Sequence, residues 1–170
     1  MELNENDYSG ESTRSVHGGE ERNKFAQSLI NPIAQTATYT FNDLHEFEAF
    51  KAGDKALYEY GRYGNPTQRT AERKIATLEN AAEALLFSSG MGAITSVLFA
   101  MLRSGQHLVI MEDCYRMTAK FCHILAKFGI DSTMVKPGDM EALAAAVRPG
   151  TRLIFTESPT NPHLHVLDLV

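Results

Sequence analysis

From about residue 65 the chain alternates short apolar runs with longer stretches whose apolar positions recur at helical spacing. Pro66 suits the first turn of a helix running to about residue 79, since its missing N–H costs nothing there. Residues 84–87 are an apolar run read as a buried strand, and residues 93–102 a helix ended near Ser104-Gly105. A strand is expected over 107–111, a helix over 115–128 closed by Gly129, and a strand over 130–135. A helix over 140–147, stopped by Pro149-Gly150, and a strand over 152–156 complete the series. Strands of this length alternating with helices predict an α/β fold with a parallel sheet covered on both faces.

Residues 1–62 have a different texture, polar and irregular. One helix is expected there, with Asn42 or Asp43 as N-cap and Leu44, Phe47 and Phe50 on one face. So long and weakly periodic an arm cannot build its own core, and is expected to lie across another surface, such as a second subunit. The organisation read from the sequence is therefore an arm, 1–62, followed by a regular region, 63–170.

Composition narrows the function. A hydrophobic fraction of 44% is enough for a real core, and no run of residues approaches a membrane span. The net charge is -5 and the 16 Lys and Arg form no dense basic block, which argues against nucleic acid or an anionic membrane as partner. The acidic, polar start is unlike a signal peptide. Cys114 and Cys122 make no disulfide framework and are read as reduced thiols on a cytoplasmic helix. His163 and His165, two apart, share one face of an extended segment; no further ligands complete a metal site, and both are expected in solvent.

The strand expected at 84–87 leads into Ser88-Ser89-Gly90-Met91-Gly92-Ala93. Ligands of such sheets bind beyond the carboxyl ends of strands, where free N–H groups at a helix start favour an anion. Gly90 and Met91 are thus candidates to hold a phosphate. Gly90-x-Gly92 also begins a dinucleotide fingerprint, and Glu112-Asp113 ends the next strand where a ribose-binding acid is needed. Thr95 stands in the third fingerprint position, where it would crowd the helix against the sheet. A nicotinamide-dependent oxidoreductase is the alternative from another class.

Several further segments resemble the Cys/Met-metabolism family of pyridoxal-phosphate (PLP) enzymes. Tyr60-Gly61-Arg62-Tyr63-Gly64-Asn65-Pro66-Thr67 is similar to its tyrosine–arginine segment, and Ser88-Ser89-Gly90-Met91 to its phosphate turn. Glu157-Ser158-Pro159-Thr160-Asn161-Pro162 resembles the segment after a central strand. Val16-His17-Gly18-Gly19 and Ile30-Asn31-Pro32-Ile33 match the habitual opening. The resemblance implies an aspartate-aminotransferase-like fold (fold type I), and a homotetramer whose subunits share active sites. It implies that Tyr60 and Arg62 reach the neighbouring subunit's cofactor, and that Gly90 and Met91, helped by Ser89, hold the phosphate. Tyr115 would stack on the pyridine ring and join proton transfer, and Asn161 would bond the phenolic oxygen.

The resemblance is imperfect in places. Arg116-Met117-Thr118 follows Tyr115, and the absence of cysteine at 117 argues against a methionine γ-lyase. Lys120 stands where relatives carry an arginine for the substrate's distal carboxylate; it supplies charge without the bidentate fork. Val170 comes before the family's Schiff-base lysine and the aspartate of the pyridine nitrogen, so the chain as given is expected to be an inactive N-terminal part. The expected reaction of the whole protein is β- or γ-elimination or γ-replacement on cystathionine or an activated homoserine. A cystathionine γ-synthase-like reaction leads, with the cystathionine and methionine lyases and O-acylhomoserine sulfhydrylases as alternatives. A non-catalytic truncated subunit is the remaining reading.

Overall fold

The computed structural model describes residues 10–168. The chain divides into two compact units, residues 1–86 and residues 87–170.

The first unit contains α1 (Glu11–His17), a 3-10 turn (Phe25–Gln27), α2 (Leu44–Ala52) and α3 (Pro66–Leu78). α2 starts where expected: the Asp43 carboxylate accepts the Glu46 N–H at 2.8 Å, and Glu46 reaches back to accept the Asn42 N–H at 2.7 Å. This reciprocal cap satisfies donors that a helix start leaves free. α3 follows Asn65, whose side chain accepts from the N–H groups of Thr67 and Gln68, with Pro66 in the first turn. α1 is a helix the apolar pattern does not announce. It packs on α3, and the two glycines that follow it are what allow the approach. A Cβ on Gly19 would collide with the α3 backbone at Arg73 and Lys74, and Gly19 has φ +70°.

The second unit holds α4 (Gly90–Met101), β1 (His107–Met111), α5 (Arg116–Leu125), β2 (Asp131–Val135), α6 (Met140–Ala146) and β3 (Thr151–Phe155). The strands form a parallel sheet in the order β2-β1-β3, so β1 is central and buried along its whole length. Successive side chains of β1 face opposite layers. Leu108 and Ile110 pack with Leu98 and Leu102 from the α4 side and with Cys122 and Leu125 from α5. Val109 and Met111 pack with Val135, Ala142 and Leu143, the last two from α6. The sheet is thus covered on both faces, as the strand and helix alternation predicts. At the start of β1, buried His107 bridges its neighbours: Nδ1 lies 2.8 Å from Thr151 Oγ1 and Nε2 2.9 Å from Thr133 Oγ1.

Two expectations need correction. Residues 84–87 form no strand: none of them pairs with a strand among the described residues, and Leu85 is 72% exposed. The Leu86 N–H is satisfied instead by the Glu72 carboxylate at 3.0 Å, which removes the need for a ladder partner. The two cysteines do not share a helix. Cys122 lies in α5 and Cys114 in the loop before it, both buried.

Candidate active site

The turn before α4 is built by its small residues. Ser89 is the N-cap, its hydroxyl oxygen accepting the Gly92 N–H at 3.0 Å, while the Ser89 carbonyl accepts from Ala93. That leaves the N–H groups of Gly90 and Met91 with no acceptor among the described residues. A Cβ on Gly90 would meet nothing within 4 Å, so there is free space beside the start of the helix. Two aimed amides at the positive end of a twelve-residue helix form a seat for an anion. Thr95, expected to crowd the sheet, turns its hydroxyl back onto the Met91 carbonyl at 2.8 Å.

Met91 also reaches α5, its sulfur accepting the Thr118 hydroxyl at 3.6 Å. Three residues earlier, at the exit of β1, stands Tyr115, 43% exposed and cap of α5. Its N–H donates to Glu157 Oε2 at 3.0 Å. Glu157 follows β3, the strand next to β1, so this bond ties two adjacent exit loops together. A second tie runs the other way. Asp113 accepts the Thr160 hydroxyl on Oδ2 at 2.5 Å, with His163 Nδ1 2.6 Å from Oδ1 and His165 Nδ1 3.1 Å from Oδ2. The Thr160 hydroxyl, with lesser help from His163 and His165, outweighs desolvation and holds the Asp113 carboxyl below its ordinary range.

The second unit places Tyr115 after β1 and Asn161, in the turn after Thr160, beyond β3, while Gly90 and Met91 open α4 without a preceding strand and Met91 touches α5 at Thr118. Asn161 is exposed, its side chain making no hydrogen bond among the described residues. Lys120, one turn into α5, is exposed as well. Tyr60 and Arg62 belong to the first unit. There the Arg62 guanidinium lies 5.1 Å from the Tyr60 ring centre and 5.3 Å from that of Tyr63, a preorganised planar fork.

Sequence reasoning missed Asp113 and Glu157 as organisers of the site. Their partners lie about forty to fifty residues away, with no local pattern to announce them. His163 and His165 are largely exposed as expected, yet they stack at 5.8 Å between ring centres and both address Asp113. Neither cysteine is a candidate nucleophile. Burial pushes the Cys114 thiol up, and that of Cys122 to about 11, so both stay protonated at neutral pH.

Comparison with known proteins places the chain in a family. The family described as "Cys/Met metabolism PLP-dependent enzyme" matches residues 12–170. The chain belongs to this family. Chloroplastic cystathionine gamma-synthase 1 of Nicotiana tabacum is 43% identical over 159 residues, covering 91% of this chain and 29% of that protein. L-methionine gamma-lyase of Pseudomonas putida is 38% identical over 161 residues, covering 94% of this chain and 40% of that protein. Among solved structures, metB from Corynebacterium glutamicum superposes with a TM-score of 0.85 at 34% identity, over 98% of this chain and 41% of that one. The fold is accordingly part of the type I architecture of PLP enzymes, and the chain spans 29–41% of the length of these relatives. Membership in a PLP-dependent family displaces the dinucleotide reading of Gly90-x-Gly92. Among the described residues no helix is long and apolar enough to cross a membrane.

Proposed function

We propose that the whole protein is a PLP-dependent enzyme of sulfur amino-acid metabolism that performs γ-replacement on an activated homoserine, like a cystathionine γ-synthase. The observation that carries the PLP site is the pair of N–H groups on Gly90 and Met91 that have no acceptor among the described residues, at the start of α4. The residues fit such a group. Gly90 and Met91 donate to its phosphate, and the Ser89 hydroxyl, which already accepts from Gly92, keeps its own proton to donate. Tyr115 supplies an exposed ring to fix the plane of the pyridine and a hydroxyl to move a proton at the substrate. Asn161 offers an amide N–H to the phenolic oxygen.

Pyridoxal phosphate supplies an electron sink that stabilises negative charge on the carbons of a bound amino acid. The chain's own task is to hold that group and the substrate in register. Lys120 would attract the distal carboxylate or other acidic group of the substrate. The stacked Arg62 and Tyr60 would reach the phosphate in a neighbouring subunit of a homotetramer. Exposed apolar side chains on the arm, among them Phe25, Leu29, Ile30 and Ile33, support a subunit partner. Buried, unpaired Cys114 and Cys122 support a reducing compartment, the cytoplasm.

The γ-synthase reading is favoured by 43% identity to the tobacco enzyme, and the absence of cysteine at 117 argues against a methionine γ-lyase. It is tested by giving the PLP-loaded whole protein an activated homoserine with cysteine and, separately, methionine or cystathionine. Cystathionine forming faster than any 2-oxo acid is the expected result. Cleavage of methionine or cystathionine without condensation would overturn the γ-synthase reading in favour of a lyase. Failure to bind PLP would overturn the site as well.

A further inference from the structure

Asp113 follows the central strand and is buried, as is Thr160, which is fully so. A buried carboxylate is costly unless donors surround it. Among the described residues both hydrogen-bond donors come from one segment, the turn after β3: Thr160 and His163, with His165 Nδ1 from the same turn 3.1 Å away. That turn is closed on itself by two more bonds through the same residue. The His165 N–H donates to Thr160 Oγ1 at 2.9 Å and the Thr160 N–H to the His165 carbonyl at 2.9 Å. Asn161 sits inside the closed turn, between Thr160 and His163, and its own side chain makes no hydrogen bond among the described residues.

We propose that Asp113 is a positioning residue, anchoring the 160–165 turn through Thr160, His163 and His165 so that Asn161 is presented beside Tyr115 at the carboxyl end of the sheet. This rests on the reading that Asn161 meets the cofactor ring. With the carboxylate accepting only, His163 donates from Nδ1 to one oxygen and Thr160 from its hydroxyl to the other, with His165 Nδ1 3.1 Å from the second oxygen. These contacts reach both oxygens from one short segment, so the segment's orientation is fixed. Glu157, accepting from the Tyr115 N–H, runs the reciprocal tie and keeps the two loops in register.

The test uses the PLP-loaded whole protein and the variants Asp113→Asn, Thr160→Val, Thr160→Ser, Asn161→Ala and Asp113→Asn/Asn161→Ala. Three quantities are read besides activity: PLP affinity, the circular dichroism of the bound cofactor, and hydrogen exchange at the Leu164 and His165 amides. Asp113→Asn and Thr160→Val are expected to speed that exchange on the order of tenfold, the loss of one good hydrogen bond. They should also move the cofactor dichroism and affinity toward those of Asn161→Ala, while Thr160→Ser, which keeps the hydroxyl, restores both. The double variant should match Asn161→Ala alone. A lowered unfolding temperature with unchanged cofactor dichroism, or effects that multiply in the double variant, would overturn the proposal. If Asn161→Ala itself leaves the cofactor signal and affinity untouched, the underlying reading of Asn161 fails, and this role for Asp113 with it. Should Asp113→Asn not fold, Thr160→Val and Thr160→Ser decide alone, since the first removes the hydroxyl, the second keeps it, and neither changes the charge.

Discussion

The two units of this chain are stabilised by different means. Among the described residues up to 86, Ala76 is the one buried hydrophobic side chain, and the structure is fastened by individual polar contacts. Lys74 Nζ reaches the Val16 carbonyl at 3.0 Å and Glu20 at 2.7 Å, and Arg73 pairs with Glu21 at 2.8 Å. From residue 87 the order reverses: Leu98, Leu108, Val109, Ile110 and Leu125 are each within 1% of complete burial. Burying such side chains contributes roughly 1.5–3 kcal/mol each, against about 0–1 kcal/mol for an exposed ion pair. The second unit is therefore a scaffold whose loops can hold a ligand in place. The first leaves large apolar side chains such as Phe25, Leu29 and Ile33 exposed.

That contrast can be broken by mutation. Ile110→Ala or Leu125→Ala should lower stability by about 2–5 kcal/mol, and Ile33→Ala by no more than about 0.5 kcal/mol in the dissociated subunit, read from denaturant unfolding. Comparable losses at both kinds of site would erase the distinction. Gly19→Ala should cost about 1–3 kcal/mol, because the new methyl meets the α3 backbone at a left-handed φ. Its effect should stay local, seen as faster proteolysis before residue 86 with the 87–168 region protected.

His107 sharpens the comparison through pH. Burial, aided by the charge of Arg148, holds its imidazole below the usual pKa, so the folded state keeps it neutral. The unfolded chain takes up the proton near pH 6.5. Its contribution is thus complete above about pH 6.5 and is lost as pH falls below that value. His107→Gln should flatten the stability profile between about pH 6.5 and 5, measured by thermal unfolding across that range. An unchanged slope would show that His107 is not the group responsible. The smallest effect on stability is expected at Gly90→Ala, since a Cβ there meets nothing within 4 Å. A methyl at the start of α4 narrows the approach of a ligand to the free amides, so PLP affinity should fall while the unfolding temperature of the cofactor-free protein stays within a degree or so.

How legible the molecule is in its sequence follows the same division. Strands expected at 107–111, 130–135 and 152–156 form at His107–Met111, Asp131–Val135 and Thr151–Phe155, because each is bounded by turn residues and pairs with or forms the fully buried central strand β1. α3 and α2 are legible through their caps, Asn65 and Asp43. α1 is not: it buries no side chain and its N-cap, Gly10, makes no side-chain bond, so neither periodicity nor capping marks it. The run at 84–87 misleads because an apolar tetrapeptide becomes a strand only where a neighbour pairs with it. At the candidate site, Gly90, Met91, Tyr115 and Asn161 are legible through short motifs. The ties between their loops, Asp113 to Thr160 and Tyr115 to Glu157, join residues 47 and 42 positions apart and leave no trace in local pattern.

The central claim is that the amides at the start of α4 hold the phosphate of pyridoxal phosphate. A crystal structure of the PLP-loaded whole protein tests it directly. The expected result is phosphate oxygens about 2.7–3.2 Å from the nitrogens of Gly90 and Met91, with the pyridine ring against Tyr115. A phosphate seated elsewhere, with both amides still unpaired, would contradict it.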